Sequence, residues 1–338
     1  GKADISQGII SVTTSKKERC VGQYNVYFGD IHSHSGESIW GFDRGCGMGS
    51  IEENYEYARS ISNLDICCIT DHDWQLDKKL WEKHKTVCDD FYEEGKFVTI
   101  LGFEWTSSIY GHRNVYYYAD SYKDSDIPLF VSRPADDYWL KNVDTPDDLW
   151  AKLDASAVEA ITIPHHPSAT SHPLTWRYYN EKYDRLVEIY SSWGNNEYPN
   201  NFYKGNGSDH YADLYVRSAL AQGLRYGFLA SSDGHDGHPG NAQSPYIKHR
   251  HLFHYLGSGW VGVLSTNLTR ENIYKSLKKR LCYATTGVPI ILNITVNNSF
   301  FMGSQIKLKS SEPRVIDIFV QGCAFIDHVD IIKNGKVV

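Results

Sequence analysis

Six short stretches set metal-ligating side chains at the ends of apolar runs. In Gly29-Asp30-Ile31-His32-Ser33-His34 two histidines stand two apart, and alternate residues of a strand share a face, so both imidazoles can reach one cation. The run Ile66-Cys67-Cys68-Ile69-Thr70 stops at Asp71-His72-Asp73, and Ile100-Leu101-Gly102-Phe103 stops at Glu104. A carboxylate placed there can bridge two cations, because each oxygen has its own lone pairs. His112, beside Arg113, precedes Asn114-Val115-Tyr116, and Ile163-Pro164 leads into His165-His166-Pro167. Last, Ala230-Ser231-Ser232 leads into Asp233-Gly234-His235, where Asp233 and His235 again alternate. A lone histidine is more often structural than ligating, but structural histidines have no reason to gather at one end of five or six separate strands.

The donor chemistry narrows the ion. Imidazole and carboxylate without Cys-rich spacing suit Zn²⁺, Mn²⁺ or Fe²⁺ better than Ca²⁺ or a structural zinc knot. The nine candidates, His32, His34, His72, Glu104, His112, His165, His166, Asp233 and His235, exceed what one ion can use. Two or three divalent ions roughly 3.5–4 Å apart are therefore expected, a geometry that generates a bridging hydroxide. Arg113, and also Arg44 or His238 in the loop Asp236-Gly237-His238-Pro239-Gly240, are candidates to clamp a phosphate or protonate a leaving group. Glu188 lies inside an apolar strand and is consistent with an inward or an outward, salt-bridged position, so it stays outside the ligand set. Tyr116 to Tyr118, Tyr178-Tyr179 and Trp193 to Tyr203 can stack a sugar or base, although packing explains such clusters equally.

Something must hold these residues at one edge. Strand patterns fall at Tyr24 to Ile31, Leu64 to Thr70, Phe97 to Phe103, Asn114 to Tyr118, Ala160 to Ile163, Leu186 to Tyr190 and Tyr226 to Ala230, with Trp260 to Leu264 as an eighth. Between them Ser50 to Ile61 opens on Ser50 and Glu53, Thr145 to Leu153 opens on Thr145-Pro146-Asp147, and Thr269 to Leu281 ends in Lys278-Lys279-Arg280, all helix signatures. Repeated βα units predict an α/β fold with a largely parallel sheet. After Gly287 the pattern turns to strands at Ile290 to Val296, Val315 to Val320 and Val329 to Ile332, with a turn at Asn297-Asn298. The expected organisation is an N-terminal arm or edge strand over residues 1–23, a hydrolase unit over 24–286 and a small β-rich C-terminal appendage over 287–338. The turn at Asn334-Gly335 has three residues after it, which suggests a piece of a longer chain.

Composition agrees with an ordinary enzyme. Hydrophobic residues make up 41% of the 338 and charged residues 22%, enough to bury a full core without staples. A net charge of -7 with no long basic block argues against nucleic acid or an anionic membrane as partner, and no apolar run approaches a membrane span. The expected partner is a small, phosphorylated molecule; the compartment stays open between the cytoplasm, slightly favoured, and secretion after removal of a signal. The seven cysteines form no Cys-x-x-Cys pair and are read as buried free thiols. Asn206, Asn267, Asn293 and Asn297 begin sequons too short to indicate secretion.

The ordered motifs His32-Ser33-His34, Thr70-Asp71-His72, Glu104, His165-His166-Pro167 and Asp233-Gly234-His235 resemble the PHP (polymerase and histidinol phosphatase) family over roughly residues 26 to 285. The runs Tyr27-Phe28-Gly29-Asp30-Ile31-His32 and Tyr283-Ala284-Thr285-Thr286-Gly287 are most similar to a PHP-related branch of unknown function. The resemblance implies a distorted (β/α)7 TIM-like barrel whose di- or trinuclear Zn, Mn or Fe site hydrolyses phosphoesters. By that resemblance His32, His34, Glu104 and Asp233 hold one metal, Glu104, His112 and one of His165 or His166 a second, and His72 with His235 a third. Asp71 becomes a proton carrier or a support for the ligands. Where many members supply another histidine after His34, this chain has only Glu37, Trp40 and Asp43 nearby. Rival readings are an amidohydrolase-like C–N or carboxylic ester hydrolase, for which no carboxylated lysine is evident, and a non-catalytic metal-binding scaffold.

Overall fold

A computed structural model describes residues 4–5, 8–14, 19–132, 141–169, 172–201, 211–241 and 259–338. Strands β1 (Gly8–Thr14) and β2 (Tyr24–Asp30) are followed by α1 (Ile51–Ser60), β3 (Ile66–Cys67), α2 (Lys78–Asp90) and β4 (Val98–Thr99). β3 pairs parallel with both β2 and β4, so α1 and α2 are crossover helices. Each has a sequence reason to begin where it does. Ser50 and Glu53 close a capping box on α1, and the Asp77 carboxylate accepts the Leu80 N–H at the start of α2, satisfying donors a helix start leaves free.

The next three strands depart from a largely parallel sheet. β5 (Leu101–Ser107) and β6 (Gly111–Tyr118) form an antiparallel pair, and β7 (Glu159–Pro164) runs antiparallel to β6. Only residues 108–110 join β5 to β6, far fewer than the dozen or so a parallel crossover needs, so a hairpin is the sole solution. α3 (Pro146–Ser156) precedes β7, with the expected proline at its first turn and a capping box from Thr145 and Asp148. β8 (Leu186–Ser191) then pairs parallel with β9 (Gly227–Ala230), with α4 (Val216–Ala221) between them. β10 (Trp260–Ser265) lies antiparallel to β2 and to β11 (Cys282–Thr285), joined to β11 by α5 (Arg270–Lys278). The architecture is a mixed α/β one. Ile31, Ile66, Ile100, Ile161, Leu186, Leu229 and Val261 meet in one buried apolar cluster, so strands from separate ladders share a core. Tyr116 and Tyr117 are buried in packing rather than presented as stacking platforms, the Tyr116 hydroxyl donating to Ile31 O.

The C-terminal strands form a sheet of their own, with β12 (Ile291–Val296) antiparallel to β13 (Arg314–Gln321). β1 pairs in parallel with β13 and is flanked on its other side by Asp4–Ile5. The segment read as an arm or edge strand thus contributes a strand between Asp4–Ile5 and β13 in the C-terminal sheet. The expected strand at Val329 to Ile332 shrinks to Ile332–Lys333, which meets Lys336–Val337 across Asn334-Gly335, both at positive φ. No helix among the described residues is long and apolar enough to cross a membrane.

Candidate metal centre

The strand ends converge through backbone pairing just beyond the ladders. Asp233 N donates to His32 O at 2.8 Å, His34 N to Gly234 O at 2.8 Å, and Glu104 N to Asp71 O at 3.1 Å. The residues after β2, β3 and β9 therefore lie side by side with Glu104, which sits in the middle of β5 (Leu101–Ser107) and not at a strand end as its sequence suggests. The buried Asp30 carboxylate ties this arrangement together, accepting from Ser232 N at 2.9 Å, His32 N at 3.3 Å and Gly240 N at 2.7 Å. Asp233 and His166 sit at φ 49° and 31°, backbone positions that non-glycine residues seldom occupy and that gather at functional sites.

Three donor groups result among the described residues: His32, His34, Glu104 and Asp233; His112, His165 and His166; and His34, His72 and His235, which shares His34 with the first. In the first, Glu104 Oε2 lies 3.4 Å from His32 Nε2 and 3.2 Å from His34 Nε2, and Asp233 Oδ1 is 3.3 Å from each nitrogen. Donors about 3.3–3.6 Å apart are what four bonds of about 2.0–2.2 Å to one tetrahedral zinc would require, so the group fits a cation. The other Glu104 oxygen, Oε1, stands 2.5 Å from His112 Nδ1, 3.4 Å from His165 Nε2 and 3.3 Å from His72 Nδ1. Nδ1 of His34, His165 and His166 and Nε2 of His112 are buried without a hydrogen-bond partner, while the opposite nitrogens of His34, His112 and His165 each face a Glu104 oxygen. Buried polar atoms left in that state cost free energy, unless a ligand takes them up.

The histidines are oriented from behind. Glu188 Oε2 is 3.0 Å from His32 Nδ1 and both groups are buried, which leaves His32 Nε2 aimed at the centre. His72 Nδ1 meets the Thr106 hydroxyl at 2.7 Å, and His235 Nδ1 meets the Asp233 carbonyl at 2.9 Å. Such partners settle tautomer and ring angle in metal sites. Trp74 stacks on His72 with centroids 5.1 Å apart, and Trp40, half exposed, lies 5.7 Å beyond it.

Burial opposes charge throughout, and the neighbours decide which groups bear it. Glu104 is held well below the usual carboxylate range because the imidazoles of His72, His112 and His165 outweigh the burial that would raise it. Asp233 is likewise held low against burial by His32, His34 and His235. Burial, with the neighbouring His165, depresses His166, and burial takes His112 down to about 4 despite Glu104. Both then present neutral nitrogens, the form that ligates. Burial would also raise the Cys46 thiol, but His235 and His72 draw it down to about 4.

Three sequence candidates are placed elsewhere. Asp71 spends both oxygens on the loop after His34, accepting Ser35 N and Ser35 Oγ at 2.6 Å each, with His84 Nε2 at 3.1 Å; it braces the loop that carries His34. Arg113 points away from the centre, because it alternates with the inward-facing His112, and ends buried near Asp184. His238 is half exposed, its ring 4.4 Å from that of Tyr57. Glu37 is taken by Lys83, 2.5 Å away. Sequence reasoning left the orientation of Glu188 open, which the structure settles as inward, and missed Cys46 and His172, whose ring lies 4.4 Å from that of His112. Glu188 alone carried a signal, since a carboxylate in an apolar strand needs a buried partner. Residues 133–140, 170–171 and 202–210, the last holding the end of the aromatic run Trp193 to Tyr203 and the sequon at Asn206, lie outside the described residues.

A family model described as a protein of unknown function, DUF3604, matches residues 62–200 and 231–316. An uncharacterized protein of Chlamydia pneumoniae is 26% identical over 328 residues, which are 93% of this chain and 48% of that protein. The chain thus spans about half the length of that curated relative. A solved two-domain protein from Bacteroides vulgatus, described as containing a predicted PHP-like metal-dependent phosphoesterase, is 16% identical, with 80% of this chain and 67% of that one covered and a TM-score of 0.47. PsfC from Pseudomonas syringae is similar at 14% identity, over 77% of this chain and 91% of that one, with a TM-score of 0.46.

Proposed function

The chain belongs to the DUF3604 family, and from the site of this member we propose a metal-dependent phosphoesterase that hydrolyses a small phosphomonoester or phosphodiester. The observation that carries the reading is Glu104: one oxygen faces His32 and His34, the other His112, His165 and His72, all of them buried. A carboxylate divided in this way is built to bridge two cations. His32, His34, Glu104 and Asp233 would hold the first, and Glu104, His112, His165 and His166 the second, with zinc, manganese or iron suiting the donors. Bound divalent cations would supply Lewis acidity and lower the pKa of water from about 15.7 towards ~7.

The chain's own part is positional. Glu188, Thr106 and the Asp233 carbonyl orient three histidines, and Asp30 and Asp71 lock the two loops that carry His32, His34 and Asp233. We read the shared core of the separate ladders as the distorted seven-stranded barrel that the PHP resemblance implies. A phosphoester is preferred over an amide because the motif order is that of the PHP family. In addition Lys85, the buried lysine among the described residues, pairs with Glu82 instead of entering the site.

The test is elemental analysis of chelator-free protein together with a panel of p-nitrophenyl phosphate, bis(p-nitrophenyl) phosphate and matched anilide and acetate esters. The expected result is two or more ions per chain and phosphoester turnover that EDTA and Asp233→Ala abolish. Metal-dependent turnover confined to the anilide or acetate would overturn the assignment.

A further inference from the structure

The metal centre is not equally closed on all sides. The side chains of His32, His34 and His165 are fully buried and that of His112 is 6% exposed, whereas those of His72 and His235 are each 11% exposed. Among the described residues the donors therefore meet solvent at His72 and His235, and a phosphoester held by the cations has to leave its remaining atoms on that side. Beside His72 a run of apolar side chains stays uncovered. Trp74, half-buried, lies flat on His72, with centroids 5.1 Å and planes 18° apart, and Trp40 leans on Trp74 at 5.7 Å and 42°. Trp40 is 52% exposed, and its neighbours Ile39 and Phe42 are exposed as well.

The loop that carries Trp40 is fixed from inside. Gln75, buried next in sequence to Trp74, accepts Ile39 N at its carbonyl at 3.0 Å and Cys46 N at Oε1 at 3.2 Å, and its Nε2 donates to Glu37 O at 3.4 Å. Gly45 N and Gly47 N donate to Gly36 O and Ser35 O, each at 2.9 Å. A Cβ on Gly47 would fall 2.0 Å from His34 O, and one on Gly45 2.6 Å from Glu37 O, so only glycines let the loop be drawn in this close. Apolar side chains of this size normally find cover. Here the backbone beneath them is tied down, so their exposure is not the fraying of a loose loop. A contiguous exposed apolar patch marks a binding surface, and one that is already ordered binds at a smaller entropy cost. Its continuity with His72 through Trp74 identifies the occupant as the part of the substrate that projects from the metals.

We propose that Trp40 and Trp74 form the subsite for the organic group of the phosphoester, and that this group carries a planar aromatic ring that stacks on the open face of Trp40. The inference rests on the phosphoesterase reading above and names the substrate class which that reading leaves open. An indole pair presents π faces and no charge, which matches a flat ring better than a second phosphate or a carboxylate. A net charge of -7 with no long basic block keeps that ring on a small molecule rather than on a polynucleotide. Stacking remote from phosphorus is the same in the ground state and the transition state, so its loss raises KM and leaves kcat in place.

The experiment compares ethyl, cyclohexylethyl, phenylethyl and naphthylethyl phosphate, monoesters that share a primary alkoxide leaving group, on zinc-loaded wild type, Trp40→Ala and Trp40→Phe. KM is read where an ester turns over, and Kd from quenching of indole fluorescence or from calorimetry where it only binds. In the wild type the constants should fall from ethyl through phenylethyl to naphthylethyl, with cyclohexylethyl weaker than phenylethyl. Trp40→Ala should weaken the two aryl esters by about 5- to 100-fold, the range for one stacked ring. Ethyl phosphate, kcat and bound metal should not change, and Trp40→Phe should restore most of the difference. Equal constants for all four esters in the wild type, a cyclohexyl ester bound as tightly as the phenyl one, or a loss in Trp40→Ala that ethyl phosphate shares overturns the subsite and leaves the phosphoesterase reading standing. Self-association that Trp40→Ala abolishes in sedimentation, with ester constants unchanged, also overturns it and gives the patch to a second copy of the chain. Zinc-loaded wild type that neither binds nor turns over any of these esters or p-nitrophenyl phosphate overturns the phosphoesterase reading, and the subsite with it.

Discussion

Replacing Arg113 by methionine separates a framework role from a substrate-binding one. The guanidinium is fully buried, with Nε 3.6 Å from Asp184 Oδ2, donates to Tyr110 O and Tyr178 O at 3.2 Å each, and lies 5.7 Å from the Trp150 ring centre. Methionine fills much of that space but strands the Asp184 carboxylate and two carbonyls. Removing one member of a buried pair costs about 3–5 kcal/mol, and the orphaned carbonyls push the loss toward the upper end. Burial has already raised Asp184 from 3.8 to about 6 against the pull of Arg113. A carboxyl with its folded pKa above its unfolded one binds more protons when folded, so stability falls as pH rises between the two values and levels off above the higher. Without Arg113 the folded pKa climbs further, and the variant continues to lose stability above pH 6, where the wild type no longer does on this account. Urea unfolding should therefore show a larger deficit at pH 8 than at pH 6, with metal content of the folded variant unchanged. Wild-type stability at both pH values combined with a steep rise in KM for phosphoesters would refute the reasoning and return Arg113 to the substrate.

Three further outcomes follow from the same geometry. Glu104→Gln replaces one bridging oxygen by an amide that cannot ligate as a carboxylate does, and should lose at least one ion per chain by elemental analysis; an unchanged count would show that Glu104 does not bridge. Glu188→Gln weakens the hold on His32 Nδ1 and should lower metal affinity about 10–100-fold in a chelator competition, whereas unaltered affinity would make Glu188 a bystander. Stripping the ions with EDTA should lower apparent stability, by about 4 kcal/mol per site where free metal stood at about 1,000 times its Kd; a melting curve indifferent to EDTA would mean that the folded state gains nothing from the cations.

The clustering of His32 and His34 was legible because alternate residues continuing a strand share a face, whereas Asp233 lies beyond β9 at φ 49° and is placed by its loop and not by strand alternation. The same rule, applied to β6 (Gly111–Tyr118), separates Arg113 from His112: neighbours in a strand face opposite sides, so a cation next in sequence to a ligand is the residue least able to share its site. Helix starts at Ser50, Thr145 and Thr269 were legible for a similar reason, since each cap is formed within three or four residues. The hairpin of β5 and β6 was hidden only by placing the strand boundary too late, at Asn114, which made a three-residue connection look long enough to cross over.

Partners chosen by topology had no comparable trace. Gly8–Thr14 pairs with Arg314–Gln321, and nothing in either segment names the other. Glu188 and Cys46 show two degrees of this blindness. A buried carboxylate cannot stay unpaired, so Glu188 announced that some cation or donor faces it, though not that the donor is His32, 156 residues away. A cysteine is tolerated both in an apolar core and against a metal, so Cys46 announced nothing. Its flanking glycines read as ordinary loop residues until the backbone of His34 and Ser35 is seen pressed against them. Charged groups thus betray a site through the energy of burying them, whereas a cysteine between glycines carries no such signal in the sequence.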